Sequence, residues 1–336
     1  MYIIDSYLVA VIFCFITMLC WGSWGNTQKL AAKTWRYELF YWDYVIGIVF
    51  IAAVFGFTLG SFGESGRSFT EDLTQVESGH FWSAFVGGVI FNASNILLSA
   101  AVSLAGMSVA FPLGVGLALV LGVFINYFSS PKGDPVILFI GVALIVVAII
   151  FNGIASGKVG TGNEEKKTKQ KGIMIAVIAG ILMSFFYRFV ASAMDLDNFE
   201  SPTPGMATSY TAFFIFSLGI LASNFIFNTI VMKKPFKGEP VSYREYFSGN
   251  LKTHTVGILG GVVWGIGTAF SYIAAGKAGA AISYALGQGA PMIAALWGVF
   301  IWKEFKGASK NVNLLLVFMF MAFIVGLSLI VLSGGN

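Results

Sequence analysis

The chain has 336 residues, of which 57% are hydrophobic and 11% are charged, and its mean hydropathy is +0.81. A soluble domain carries about 25% charged residues, so this composition excludes a soluble globular protein and predicts a chain embedded in a lipid bilayer. The net charge of +4 includes no basic patch interleaved with aromatic residues, which excludes nucleic acid as a partner.

Ten stretches are long and apolar enough to form membrane-spanning helices, which need roughly 20 residues each. In chain order, spans 1 to 10 are predicted near residues 7–27, 39–60, 82–104, 108–128, 135–156, 172–194, 206–231, 255–276, 280–301 and 312–333. The fold class that follows is an all-α integral membrane protein with ten transmembrane helices.

The two halves of the sequence share motifs at one constant offset of 173 residues. The matched pairs are GGVIF at 87–91 with GGVVW at 260–264, Ala105-Gly106 with Ala278-Gly279, and GVG at 114–116 with GQG at 287–289. Because each half holds five spans, the second half must enter the membrane from the opposite side. This pattern predicts two inverted five-helix repeats, an architecture typical of secondary transporters.

The predicted first repeat covers residues 1–157 and the second covers residues 172–336. Between them, residues 158–171 have no hydrophobic period and predict a flexible cytoplasmic linker.

Lysine and arginine residues are distributed unevenly between the two sides of the predicted bundle. The loops after spans 1, 3, 5, 7 and 9 hold 16 of the 20 basic residues, and the opposite loops hold three. The positive-inside rule assigns this lysine-rich side to the cytoplasm. The expected location is the inner (plasma) membrane of a bacterial-type cell, with both termini outside.

Polar side chains inside the spans must face protein or water. Asn92, Asn95 and Ser99 are three and four residues apart in span 3 and therefore form one stripe on a helix face. The repeat offset places Thr268 and Tyr272 at the positions of Asn95 and Ser99. These stripes indicate either a shared polar cleft or hydrogen bonds between helices.

The sequence YALGQGAP predicts a break in span 9. Tyr284 and Gln288 share a helix face, and Pro291 leaves the carbonyl of Gly287 without its usual donor. Such a break exposes backbone acceptors at the membrane midplane in transporters, although a simple proline kink is the alternative.

Span 1 ends in WGSWGNTQK, in which Trp21, Trp24 and Gln28 share one helix face and Asn26 lies beside them. A flat apolar surface next to amide groups suits a sugar ring or a planar base; the alternative is that both rings only pack the core. The complete set of predicted substrate-binding residues is Trp21, Trp24, Asn26, Gln28, Asn92, Asn95, Trp264, Thr268, Tyr272, Tyr284 and Gln288.

Two charged residues within spans are candidates for energy coupling. Asp43 lies one turn inside span 2, and Arg188 lies in the outer third of span 6. A proton is the expected driving ion, with sodium as the alternative. The competing interpretations are an interfacial aspartate and an arginine that extends to the surface or pairs with Asp195.

Several segments resemble the drug/metabolite transporter superfamily, in the branch of glucose/ribose porters, rhamnose transporters and ureide permeases. The segments CWGSW at 20–24, YWDY at 41–44 and SNILLSAAVSLAGMSV at 94–109 are similar to ureide permeases, and GGVVWGIGTAF at 260–270 is similar to the sugar transporters. The resemblance implies a central cavity between two inverted repeats that works by alternating access.

The function expected from these features is secondary active import of a small neutral polar solute, with a sugar as the first choice. Three alternatives remain open. These are a ureide or nucleobase permease, a metabolite or drug exporter, and a passive facilitator. The motifs of metalloproteases, nucleophile-elbow hydrolases and nucleotide-binding loops are missing from the sequence, so an enzyme is not expected. No cofactor or metal is expected, and the protein is expected to be a monomer or homodimer whose partners are the solute, the coupling ion and lipid.

The orientation predicts which side of the membrane each loop faces. In a chain lacking Cys14 and Cys20, a cysteine at Gly162 should resist a membrane-impermeant thiol reagent added to intact cells, whereas a cysteine at Ser65 should react. The reverse labelling pattern would overturn the orientation.

Overall fold

The computed structural model describes residues 1–63, 65–158 and 163–334. Over these residues the chain is helical without a β-strand, and ten helical segments are long and apolar enough to cross a membrane. In chain order they are Tyr7–Ala31, Tyr37–Phe57, Ser78–Ala105, Met107–Ser129, Pro135–Gly157, Lys166–Ala191, Ser209–Lys233, Leu251–Ala278, Ala280–Ile301 and Lys310–Ser333. The predicted ten-span membrane fold is therefore confirmed, with boundaries shifted by a few residues.

Two short helices lie outside the spans, Phe69–Gln75 before span 3 and Tyr243–Phe247 before span 8. Both chain ends lie at one end of the bundle, the terminal side, where the Tyr7 hydroxyl donates to the Val331 carbonyl over 2.7 Å. The opposite end is the lysine-rich side.

Part of the predicted linker is helical in the structure. The helix that contains span 6 begins at Asn163, so its first nine residues, NEEKKTKQK, are helical although they lack an apolar stripe. Glutamate, lysine and glutamine favour helices through their backbone propensity alone, which the hydrophobic pattern does not report. Residues 159–162, including Gly162, lie outside the described residues.

Spans 1 and 9 are both interrupted. In span 1 the helices Tyr7–Ser23 and Gly25–Ala31 meet at Trp24. Span 9 consists of Ala280–Gly287, Ala290–Leu296 and a π-helical turn at Trp297–Ile301. The break at residues 288–289 lies where the glycines and the proline predict it, since proline supplies no amide hydrogen.

The geometry of spans 3 and 8 agrees with the predicted duplication. Helices Ser78–Ala105 and Leu251–Ala278 are each 28 residues long and begin 173 residues apart. Each is followed by one glycine with nearly the same backbone angles, φ 82° and ψ 161° at Gly106 and φ 80° and ψ 157° at Gly279. A positive φ costs glycine little, which explains why this residue occurs at both turns.

Matched glycine contacts also relate the two halves. Gly88 of span 3 lies against the carbonyl of Phe216 in span 7, where a Cβ would sit 2.0 Å from the oxygen. Gly261 of span 8 lies against the carbonyl of Tyr44 in span 2, at a corresponding 1.9 Å. The reciprocal pairs are Gly219 against the Phe85 carbonyl and Gly47 against the Ile258 carbonyl. Span 3 thus packs on span 7 as span 8 packs on span 2.

These contacts predict that a methyl group added at a packed glycine destabilises the protein, whereas one added at an open glycine does not. Gly88→Ala should destabilise the protein by about 1–3 kcal/mol, because the new methyl meets backbone atoms that cannot move away. Gly79→Ala, in the same helix, is the control, since a Cβ there has no neighbour within 4 Å. Thermal unfolding of the two purified variants in detergent measures the difference, and equal melting temperatures would contradict the packing argument.

Candidate functional site

The two halves of the chain meet at a stacked aromatic pair. Phe91 of span 3 and Trp264 of span 8 occupy equivalent positions, and their ring centroids are 4.3 Å apart with planes at 30°. A contact between equivalent residues lies where a two-fold axis relating the repeats would pass. The centre of the molecule is therefore apolar and aromatic.

A small cavity of about 20 Å³ lies beside this pair. Its lining combines the rings of Trp21, Trp24 and Trp264 with the carboxamides of Asn95 and Gln288, and the lining residues include no charged side chain. About 10–15 Å³ is needed to hold one water molecule, so a sugar or heterocycle enters only if the walls separate.

The rings of Trp21 and Trp264 form two parallel walls. Their planes are 9° apart and their centroids are 5.9 Å apart. The indole nitrogen of Trp21 donates to the Thr268 hydroxyl over 3.1 Å, which fixes the ring orientation. A planar ring held between two aromatic faces needs about 7 Å, twice the ~3.5 Å carbon contact distance. Because the centroid spacing is the largest gap that the two planes can have, the walls must separate by at least about 1 Å for a ring to stack between them.

On the side away from the cavity, Asn95 is held by a chain of hydrogen bonds. The Asn95 amide donates to the Tyr41 hydroxyl over 3.3 Å, and this hydroxyl donates to Asn92 over 3.1 Å. Asn92 in turn donates to Ser223 over 3.0 Å. Asn92 therefore joins spans 2, 3 and 7, whereas Asn95 borders the cavity.

Gln28 lies outside the central cavity. Its amide donates to the Ser99 carbonyl over 2.9 Å and accepts from the Ser99 hydroxyl over 2.8 Å, so spans 1 and 3 are joined by a reciprocal pair. Gln28 lines a separate pocket of about 480 Å³ that also contains Lys29, Arg36 and Lys237. This pocket opens at the lysine-rich side.

The remaining predicted ligands make contacts within the protein. Asn26 accepts from the Trp302 indole over 2.6 Å, and the Tyr284 hydroxyl donates to the Ala118 carbonyl over 3.0 Å. Tyr272 packs on Tyr187 with ring centroids 5.3 Å apart.

Of the eleven predicted ligands, five line the cavity and six lie outside its lining. The lining residues are Trp21, Trp24, Asn95, Trp264 and Gln288, and the surrounding residues are Asn26, Gln28, Asn92, Thr268, Tyr272 and Tyr284. A direct role in solute binding stays a prediction for all of them.

Apolar lining residues were missed by the sequence analysis. Phe91, Phe111, Met183 and Phe186 border the cavity, but single apolar residues carry no signal in an apolar span. The repeat offered one clue, since Phe91 is the last residue of GGVIF and matches Trp264.

Asp43 forms a second polar site, away from the cavity. Its carboxylate accepts from the Tyr246 hydroxyl over 2.7 Å and from the Trp35 indole over 3.2 Å, and it lies 2.8 Å from Nδ1 of His254. Burial and the neighbouring carboxylate raise the pKa of the Tyr246 phenol, which therefore remains a donor. Asp43 is 1% exposed, so its carboxylate is buried within the protein beside the loop residues Trp35 and Tyr246.

Arg188 lies at the terminal side and not near Asp43. Its exposed side chain lines a crevice of about 770 Å³ that also contains Asp195. The alternative of a pair with Asp195 is not seen among the ion pairs of the described residues, and that carboxylate accepts from the Thr203 amide over 3.0 Å and from its hydroxyl over 2.7 Å. The alternative of a surface-reaching arginine fits the structure.

Comparison with known proteins gives concordant results. A family model described as ureide permease matches residues 40–171 and 164–333. Ureide permease 1 of Arabidopsis thaliana is 24% identical over all of this chain and all of its own length. Ureide permease 5 of the same plant is 26% identical over all of this chain and 96% of its own.

Two further likenesses are more limited. The probable glucose uptake protein GlcU of Priestia megaterium is 26% identical over 77% of this chain and 76% of its own. A crystal structure of a protein superposes with a TM-score of 0.60 and 16% identity, covering 95% of this chain and 96% of that one. At this identity the superposition shows the fold alone.

Proposed function

The chain belongs to the ureide permease family of membrane transporters, and from this premise we propose that it imports a small, neutral, planar solute with urea-type N–H and C=O groups. Import is driven by protons and proceeds by alternating access. The membrane is the inner (plasma) membrane, with the lysine-rich side in the cytoplasm.

The choice of a ureide over the sugar expected from the sequence rests first on the relatives. Four ureide permeases align with the full length of this chain, whereas the glucose uptake relative aligns with 77% of it. The identities are similar, so the greater coverage and the family model favour a ureide.

Within the structure, the observation that carries the proposal is the chemistry of the central cavity. Asn95 and Gln288 each offer a donor and an acceptor side by side, which matches the adjacent N–H and C=O groups of a ureide or nucleobase. The faces of Trp21 and Trp264 suit a flat ring. A lining without formal charge favours a neutral solute, because an isolated ion there would lose its hydration without compensation.

Binding of a ureide tests the proposal directly. Purified protein should be stabilised against heat by allantoin or uracil, but not by glucose or rhamnose at equal concentration. Trp21→Ala should weaken the binding of the stabilising compound by about 1–3 kcal/mol, the value typical of base stacking on aromatic side chains. Trp21→Phe should retain part of the affinity because it retains a ring.

The control is Trp82→Ala, since Trp82 is 55% exposed and remote from the cavity lining. Affinities are compared by calorimetry on monodisperse protein, because removal of a packed indole also costs about 3–5 kcal/mol of stability. Stabilisation by the sugars alone would restore the sugar hypothesis, and unchanged affinity in Trp21→Ala would show that the ring only packs the core.

Asp43 is the proposed carrier of the coupling proton. It shares a hydrogen-bonded cluster with His254, and carboxylate and imidazole together can hold and release a proton. Its Cβ lies in contact with Gly257 in span 8, seven residues before Trp264 on the same helix face. The proton site and the cavity wall thus share span 8, so a shift of this helix on protonation of Asp43 would also move Trp264.

Neutralising this carboxylate should separate exchange from accumulation. In proteoliposomes, Asp43→Asn should retain exchange of solute across the membrane and lose accumulation driven by a pH gradient, because the site no longer binds and releases a proton. Asp5→Asn, at an exposed carboxylate near the N-terminus, is the control. Accumulation at the wild-type level in Asp43→Asn would leave the cluster with a structural role.

A further inference from the structure

The hydroxyl group of Tyr44 in span 2 is buried without a hydrogen-bond partner. Tyr44 is 0% exposed, and among the described residues no donor or acceptor lies in hydrogen-bonding geometry with its oxygen. A buried polar group without a partner costs free energy of folding, so such groups are uncommon in native proteins. Packing of the aromatic ring does not explain why this position carries a hydroxyl.

Tyr44 borders three residues that line the central cavity. Its ring packs on Trp24 with centroids 4.8 Å apart and on Trp264 with centroids 6.4 Å apart. Its hydroxyl lies beside the Asn95 side chain. Since all three neighbours line the cavity, the unpartnered hydroxyl lies next to the cavity wall and close to one of its carboxamides.

Tyr41, one turn earlier in span 2, has a hydroxyl that the protein does pair. This hydroxyl accepts from Asn95 over 3.3 Å and donates to Asn92 over 3.1 Å. The rings of Tyr41 and Tyr44 are 5.4 Å apart between centroids. Two adjacent tyrosines of the YWDY segment therefore differ, one joined to the polar stripe of span 3 and one left free beside it.

The other half of the chain fills the equivalent position with a ring that has no hydroxyl. Tyr44 and Phe216 correspond, because the carbonyl of each lies against one glycine of the same matched pair. These glycines are Gly261 and Gly88, which are 173 residues apart. The Phe216 ring packs on Phe91 with centroids 5.5 Å apart. A phenyl ring thus satisfies the packing at this position, and the hydroxyl of Tyr44 is an addition to it.

The edge of a stacked solute faces this part of the cavity. A planar ring between Trp21 and Trp264 directs its N–H and C=O groups outward in its own plane, towards residues around the edge of the slot. Tyr44 contacts Trp264, which is one wall, and Trp24, which lies one turn beyond the other wall. It therefore lies at this edge, as do the carboxamides.

We propose that the Tyr44 hydroxyl is a third polar ligand of the solute and donates to one of its carbonyl oxygens, an inference that rests on the proposed function as a ureide permease. Trp264 is both a wall of the slot and a neighbour of Tyr44, so the separation that admits a ring also gives the hydroxyl access to it. The carboxamides each offer a donor and an acceptor, and Tyr44 adds one further donor, which favours solutes with ring carbonyls.

The competing account is a hydroxyl that only fills space in the core or binds a water molecule. A solute ligand and a core hydroxyl differ in what their removal changes. Loss of a ligand lowers the affinity for the solute and leaves the empty protein as stable as before, whereas loss of a core hydroxyl leaves the affinity unchanged.

Tyr44→Phe removes the hydroxyl and keeps the ring. The affinity of the purified variant for uracil, measured by calorimetry, should fall about tenfold, a loss typical of one buried hydrogen bond. Its melting temperature without solute should be equal to that of the wild-type protein or higher, because an unpaired buried hydroxyl has been removed.

The matched control is Tyr37→Phe. Tyr37 lies in the same helix, seven residues before Tyr44, and its hydroxyl is likewise buried with no partner in the described parts of the chain. It lines the pocket at the lysine-rich side and is not part of the cavity lining. Tyr37→Phe should therefore bind uracil with the affinity of the wild-type protein.

Two analogues test whether the hydroxyl acts through a carbonyl. Uracil has two ring carbonyls, and 2-pyrimidinone and 4-pyrimidinone each lack one of them. For the analogue without the contacted carbonyl, Tyr44→Phe and the wild-type protein should bind alike, whereas for the other the difference of about tenfold should persist.

Four results overturn the proposal: unchanged uracil affinity in Tyr44→Phe, an equal loss in Tyr37→Phe, an equal loss with both analogues, or a lower melting temperature of empty Tyr44→Phe. If the wild-type protein binds uracil and Tyr44→Phe binds it equally, the solute class stands and only this inference fails. If the wild-type protein binds a sugar instead, the solute class fails, and the two variants compared with that sugar still decide whether the hydroxyl is a ligand.

Discussion

The close approach of glycine to a neighbouring helix backbone is the contact on which the rest of the structure depends. Four such contacts join span 3 to span 7 and span 8 to span 2, with the glycine Cα directly beside a carbonyl group. Within a bilayer, lipid tails are as apolar as the side chains, so close van der Waals packing and not the hydrophobic effect holds helices together. These pairs fix the positions of Phe91 and Trp264, and thereby the walls of the central cavity.

Polar groups follow a second constraint, since a polar side chain in hydrocarbon is costly unless it finds a partner in the protein or in water. Asn92 and Ser99 satisfy it through spans 7 and 1, and only Asn95 of the same stripe reaches the cavity. The same rule explains Asp43, whose carboxylate receives hydrogen bonds from a loop helix and from span 8. These hydrogen bonds thus join neighbouring helices and a loop, whereas the carboxamides of Asn95 and Gln288 line the cavity.

The fold was predictable from the sequence because its main determinants are local. Apolar runs give the ten spans, and the constant offset of GGVIF and GGVVW locates the two helices that meet at the centre. The cluster around Asp43 was not predictable, because His254 lies 211 residues away and a single histidine has no pattern. The depth of the cavity along span 1 was equally hidden, since Gln28 shares a helix face with Trp21 but lies two turns beyond it and lines the pocket at the lysine-rich side instead.

The length of spans 3 and 8 has a consequence for their relation to the bilayer. Each has 28 residues, which extend about 42 Å at 1.5 Å per residue. The hydrocarbon core is only about 30 Å thick, so both helices must tilt or project beyond it. Tilted helices that touch near their middle diverge towards both membrane surfaces. The excess length of this matched pair therefore ties the spacing of the helix ends to the thickness of the bilayer, since a thicker membrane would draw tilted helices upright and bring those ends closer together.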